Sequence, residues 1–142
     1  MNLYTVNGEQ TVDTLTDGWA YLEMARDLWG LVDERRASEL AGVLDLVEAR
    51  DEVRFQRDEI ATLLSLIEGL DAALLGPILD RDWNTPIERV PDLVARAPAI
   101  AFRTRRSEIE QRAAVGEALQ RALVAHGFLA KATRGGLDVV AA

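Results

Sequence analysis

The stretch from Asp58 to Asp80 constrains the fold most, because it is apolar over most of its length and contains no Lys or Arg. From Ile60 to Leu79, thirteen of the twenty residues are Ile, Leu or Ala. Its apolar residues recur at the spacing of one helix face, and Gly76 followed by Pro77 is a helix stop signal. A helix that is apolar around most of its circumference is normally buried. We therefore predict that this segment is the central helix of the protein.

The length of this stretch makes a membrane span the main competing interpretation. Glu68 and Asp71 lie in its later half, and each would cost about 2.5–3.5 kcal/mol near the centre of a bilayer. The N-terminus lacks the basic residue and apolar run of a signal peptide. The sequence therefore predicts a cytoplasmic protein with no membrane partner.

Composition and charge limit the classes of partner. The 142 residues suit one domain, and the absence of cysteine excludes disulfides, thiolate nucleophiles and Cys-based zinc sites. The basic residues are 15 Arg and a single Lys, a bias that we attribute to a GC-rich bacterial genome. Residues 1–80 hold 17 acidic and 6 basic side chains, whereas residues 81–142 hold 7 and 10. An acidic chain of net charge −8 disfavours nucleic acid as a partner.

Both ends of the chain carry signals for β-structure. Two short β-prone runs around Asn7-Gly8 predict a hairpin over residues 1–12, closed by a type I′ turn. Because two strands alone are marginally stable in water, the hairpin must lie on the helices or pair with a third strand. The tail, residues 132–142, contains Leu137 to Val140 after two glycines. It is predicted to be either that third strand or a disordered end.

Helical periodicity covers residues 17–131, the predicted helical core. The predicted helices start at Thr16 or Asp17, at Ser38, near Ile60 and at Ser107. The pattern fades between Glu48 and Arg57, which leaves either one long helix from Ser38 to Leu75 or two helices, and we favour the break. The predicted fold class is mainly α: a single-domain helical bundle of four to five helices with a small N-terminal β-hairpin.

One set of carboxylates could hold a metal ion. Its members would project from two facing helices, and they are Glu48, Asp51, Glu52, Glu68 and Asp71. The arrangement resembles the one by which all-α nucleotide pyrophosphohydrolases hold magnesium beside a triphosphate. However, Arg50 and Arg54 are interleaved with the first three, as on a solvated helix face. A magnesium-dependent hydrolase therefore stays an alternative, and we predict no catalytic residue, metal or cofactor.

Aromatic and basic residues give candidates for protein binding. Trp19 and Trp29 share a predicted helix face, where large aromatics usually pack in a core. Trp83 lies instead in a polar loop, and Trp and Arg are enriched at interface hot spots. A basic cluster, whose members are Arg103, Arg105 and Arg106, precedes the last helix. Trp83 and this cluster are the predicted partner-binding residues.

The function expected from the sequence is binding rather than catalysis. A well-defined core, an acidic first half and interface-type residues are typical of a cytoplasmic protein-interaction module, such as an inhibitor, an immunity-type protein, an adaptor or an assembly factor. The partner is expected to be a protein, either another chain or a second copy in a homodimer. A structural homo-oligomer is the further alternative.

Overall fold

The computed structural model describes residues 1–76, 78, 96–101 and 108–142. Its helices are α1 (Gly18–Val32), α2 (Glu34–Glu48), α3 (Arg57–Glu68), α4 (Leu70–Leu74), α5 (Pro98–Ala101) and α6 (Glu108–Arg134). Its strands are β1 (Leu3–Asn7), β2 (Gln10–Leu15), β3 (Arg54–Phe55) and β4 (Asp138–Ala141), joined in one antiparallel sheet. The mainly α class with an N-terminal hairpin is confirmed, with a sheet larger than the hairpin alone.

The core lies where α1 and α3 pack on α6 and where α1 packs on α2. Trp19 and Trp29 of α1 are buried, as their spacing predicted. From its described residues, α6 contributes mainly short side chains, and its buried alanines are Ala114, Ala118, Ala122, Ala125 and Ala132. Because the distance between helix axes depends on the side chains at the contact, these alanines let α1 and α3 approach α6 closely.

The central apolar stretch is divided, which corrects the prediction of one continuous helix. α3 ends at Glu68, Gly69 forms its C-cap with φ −97°, and α4 begins at Leu70. Glycine has one of the lowest helix propensities, so a break at this position costs little. Both pieces are buried through their apolar residues, which are Ile60, Leu63, Leu66, Ile67, Leu70 and Leu74. The predicted stop is observed, because Gly76 follows the C-cap of α4 with φ +97°.

The second helix starts earlier than Ser38, where the sequence placed it. Asp33 is the N-cap of α2, and its carboxylate accepts hydrogen bonds from the backbone N–H groups of Arg35 (3.1 Å) and Arg36 (3.3 Å). Asp is as good an N-cap as Ser. Residues 34–36 therefore form the first turn of α2.

The predicted break after Glu48 is observed, and the segment after it contains an unpredicted strand. Arg54 and Phe55 form β3 by pairing with Val140 and Val139 of β4. A strand of two residues has no periodicity of its own, so only the distant partner defines it. The segment between α2 and α3 thus contributes the strand β3 to the sheet as well as connecting the two helices.

The hairpin turn also differs from the prediction. Asn7 pairs with Gln10, so the two-residue loop is Gly8-Glu9 rather than Asn7-Gly8. Gly8 has φ +64°, and Asp17 is the only non-glycine residue with positive φ in the described chain. Positive φ at the first loop residue alone is the requirement of a type II′ turn, not of type I′. The hairpin extends to Leu15, beyond the predicted residue 12.

The C-terminal segment forms the third strand that the sequence left open. The sheet order is β2-β1-β4-β3, so β4 lies between β1 and β3. Leu3 is opposite Ala141, and Thr5 is opposite Val139. Leu3, Val139 and Ala141 are buried, which places this face of the sheet against the helices.

Candidate partner-binding surface

The partner-binding residues predicted from the sequence, Trp83, Arg103, Arg105 and Arg106, lie outside the described residues. Their role stays a prediction. A candidate surface must therefore be built from the parts of the chain that the structure describes.

The five carboxylates of the magnesium alternative are not brought together. Glu48 ends α2 and Glu52 follows it in the loop, whereas Glu68 ends α3. The 12 residues of α3 span about 18 Å, so the two groups lie at opposite ends of that helix. Glu52 forms an ion pair with Arg54 at 3.0 Å, and an Asp71 oxygen accepts from the N–H of Ala72 at 2.8 Å. Among the described side chains, no group of three or more His, Asp or Glu could hold a metal ion.

The outer face of α2 is the clearest candidate surface. The helix buries Leu40, Leu44 and Val47 against its neighbours. On its opposite side, small exposed residues recur at helical spacing around one exposed leucine. We define the outer face as Ser38, Gly42, Asp45, Leu46 and Ala49. Leu46, near the C-terminal end of α2, is 64% exposed, which is a high value for a leucine within a helix.

Carboxylates lie within and around the outer face of α2. Glu39 is engaged by Arg35 of the same helix at 3.2 Å. Glu34, Asp45 and Glu48 are exposed, and no described residue forms an ion pair with them. Unpaired carboxylates in water keep their attraction for a cationic partner, whereas paired ones are already compensated. The rim of the outer face is therefore acidic.

Gly42 leaves open space at the centre of the outer face. A Cβ atom added there would meet nothing within 4 Å, whereas one added at Gly18 would lie 2.6 Å from Leu3 Cγ. Close packing inside the chain thus accounts for Gly18. The described neighbours of Gly42 give no comparable reason, and a glycine within a helix costs about 1 kcal/mol relative to alanine.

The end of α2 is held in place by a pair that the sequence did not reveal. The two terminal guanidinium nitrogens of Arg50, Nη1 and Nη2, donate to the two carboxylate oxygens of Glu59, each at 2.6 Å, and Arg50 also donates to the Arg54 carbonyl at 2.9 Å. The Gln56 N–H adds a 2.8 Å hydrogen bond to Glu59. The hydrogen bonds from Arg50 lower the pKa of Glu59, and Glu59 raises the pKa of Arg50. The loop after α2 is therefore fixed to α3.

Asp27 is a second residue that sequence reasoning missed. Its buried carboxylate accepts from Arg26 Nε at 3.1 Å and from the backbone N–H of Ala99 at 2.8 Å. This contact joins α1 to α5 across 72 positions of sequence. In the sequence, Asp27 is one of several charged residues between apolar positions of α1, and only the distant N–H explains its burial. Its role is to anchor α5.

Two surface depressions are weaker candidates for a binding site than the outer face of α2. One of about 540 Å³ contains Trp29, whose indole N–H donates to the Leu66 carbonyl at 2.9 Å and whose ring lies 4.8 Å from the Arg36 guanidinium carbon. The other, of about 480 Å³, is lined by Arg50 and Arg54, which already bind carboxylates of the chain. Because these polar groups are engaged within the protein, we assign neither depression a ligand.

The described helices do not include one that combines the length and apolar character needed to cross a membrane. Comparisons of the chain with protein-family models, with curated proteins and with solved structures found no match.

Proposed function

We propose that the protein acts by binding a protein partner through the outer face of α2. The observation that carries this proposal is the 64% exposure of Leu46 beside Asp45 and Glu48, whose carboxylates form no ion pair with any described residue. Burial of apolar surface contributes about 25 cal/mol per Å². A partner that covers the Leu46 side chain therefore gains binding free energy from apolar surface that is exposed in the free protein. The sequence leads to the same class of function.

The chemistry of the surface limits the partner. Leu46 requires an apolar contact, and the acidic rim favours Arg or Lys around that contact. Residues 1–80, which include α2, carry a net charge of −11. A field of one sign raises the association rate with an oppositely charged protein more than it raises final affinity. The proposed partner is therefore a protein with an apolar patch surrounded by basic side chains.

Affinity capture from an extract of the native host tests this proposal. The wild-type chain is expected to retrieve one protein in stoichiometric amount, and Leu46→Glu is expected to retrieve at most a tenth of it. Val124→Glu is the matched control, because Val124 is 51% exposed on α6, another helix. Both substitutions replace exposed side chains, so thermal melts should show folded variants. Retrieval of no protein by the wild type, or equal retrieval by Leu46→Glu, would reject the proposal.

With the retrieved protein in hand, the contributions of the acidic rim and of the partner-binding residues predicted from sequence can be measured. Asp45→Arg is expected to slow association several-fold at low salt, with a smaller effect at high salt, as measured by surface plasmon resonance. Trp83→Ala and Arg105→Glu test whether the partner also contacts the residues predicted from sequence. If the retrieved protein is the chain itself, the homodimer alternative replaces a separate partner.

A further inference from the structure

The last strand of the chain occupies an internal position in the sheet. β4 pairs with β1 on one side and with β3 on the other. The pairing continues to the end of the chain, because Asn2 and Ala142 exchange backbone hydrogen bonds of 2.8 and 3.1 Å. We call the space that β4 fills between β1 and β3 the β4 slot. Without β4, both walls of this slot would present unpaired backbone groups, and a sheet edge in that state pairs readily with another strand.

The β4 slot recognises side chains as well as backbone. Val139 is fully buried and Ala141 nearly so, which makes the inner side of the slot apolar. At its entrance, Arg54 Nη1 donates to the Asp138 carboxylate at 2.9 Å. Val140 lies on the other face of the sheet, opposite Tyr4. The slot therefore fits an extended segment with an acidic residue, a buried apolar residue, an outward residue and a small residue in that order.

Gly136 forms the chain reversal between α6 and β4 that directs β4 into the β4 slot of the same chain. α6 ends in a Schellman motif, in which the Leu137 N–H donates to the Ala132 carbonyl at 2.9 Å and the Gly136 N–H to the Thr133 carbonyl at 3.2 Å. Gly136 has φ +65°, a conformation that side-chain-bearing residues rarely adopt. A Cβ at Gly136 would meet nothing within 4 Å, so a substitution there acts through φ alone.

We infer that the β4 slot also accepts β4 from a second copy of the chain, which gives a strand-exchanged dimer. The contacts inside the slot are the same whichever copy supplies the strand, so exchange costs little apart from association and hinge opening. In the wild-type chain the short connection from α6 gives β4 an effective concentration of roughly millimolar or more, which favours its own slot. The exchanged dimer therefore forms on refolding at high concentration, or when the hinge is weakened. This inference does not depend on the proposed function.

Cysteine cross-linking distinguishes exchange from other association, because the natural chain has no cysteine. A Tyr4→Cys chain and a Val140→Cys chain are mixed, unfolded, refolded at about 1 mM protein and oxidised. Tyr4 and Val140 are opposite each other in the register of β1 and β4. If β4 of one chain lies beside β1 of the other, the two cysteines face each other and the yield of covalent heterodimer exceeds that of random cross-linking. Thr14→Cys with Val140→Cys is the control, since β1 separates the strands that carry them.

The hinge gives a quantitative test of the same inference. Left-handed backbone costs a residue with a side chain about 1–2 kcal/mol, so Gly136→Val is expected to raise the heterodimer yield at limiting protein concentration by roughly tenfold. Gly127→Val, at an open position within α6, should leave the yield unchanged. Heterodimer no more abundant than in the Thr14→Cys control overturns the inference. If Gly136→Val fails to fold, the result at 1 mM with the natural hinge decides.

Discussion

The buried hydroxyl group of Thr5 is an unfavourable feature of this core. Its oxygen is the only buried side-chain N or O atom without a hydrogen-bond partner in the described part of the chain. An unsatisfied buried polar group costs about 1–3 kcal/mol. Thr5→Val keeps the shape, so the free energy of unfolding is expected to rise by about 1 kcal/mol, measured as a higher urea midpoint at unchanged slope. Thr14→Val, exposed on β2, should change it by less than about 0.5 kcal/mol. A lower midpoint for Thr5→Val would contradict this account.

Single residues could be predicted from sequence where the cause of their conformation is local. The burial of Trp19 and Trp29 follows from their positions on one helix face, and the left-handed Gly76 follows from its place after an apolar helix. Asp27 and Glu59 could not be predicted in the same way. Their carboxylates are satisfied by groups on other elements, and acidic residues are common throughout this sequence.

The start of α2 provides a prediction at the scale of an element. Asp33 caps the helix through two backbone N–H groups, whereas Ser38 lies exposed within it. Loss of an N-cap side chain typically costs about 1 kcal/mol. Asp33→Ala is therefore expected to lower the free energy of unfolding by about that amount, and Ser38→Ala to leave it unchanged or slightly higher, by urea unfolding. If Ser38→Ala lowered the free energy of unfolding more than Asp33→Ala, the helix would begin at Ser38, as the sequence indicated.

Helices and strands could be predicted where their own residues show the spacing of apolar side chains that is typical of the element. The longer helices α1, α2, α3 and α6 and the N-terminal hairpin have such patterns, so their existence follows from sequence, while their ends depend on caps such as Asp33. β3 has only two residues and exists because β4 lies beside it. The surface of α2 was also beyond reach, because the exposure of Leu46 depends on which neighbours pack on the opposite side.

At the scale of the whole molecule, the segment after α2 joins separate parts of the fold. Arg50 holds it to α3 through Glu59, and Arg54 holds it to β4 through Asp138. The sheet that results brings residue 2 beside residue 142. Sequence periodicity does not encode this strand order, since it depends on pairings between the two ends of the chain. Ionic contacts at this junction should therefore influence global stability.

Acid should weaken the fold through Glu59. Hydrogen bonds from Arg50 lower the pKa of Glu59 in the folded chain, below the unfolded value of about 4.3. The carboxylate therefore stabilises the fold above that pH and loses this contribution as the pH falls through the folded pKa. Glu59→Gln is expected to lower the melting temperature by several degrees at pH 7, with a smaller deficit as the pH falls from 5 to 3. Glu48→Gln, exposed and without a described ion-pair partner, should follow the wild type across this range. A deficit for Glu59→Gln that is the same at every pH would show that lost packing, rather than lost charge, causes it.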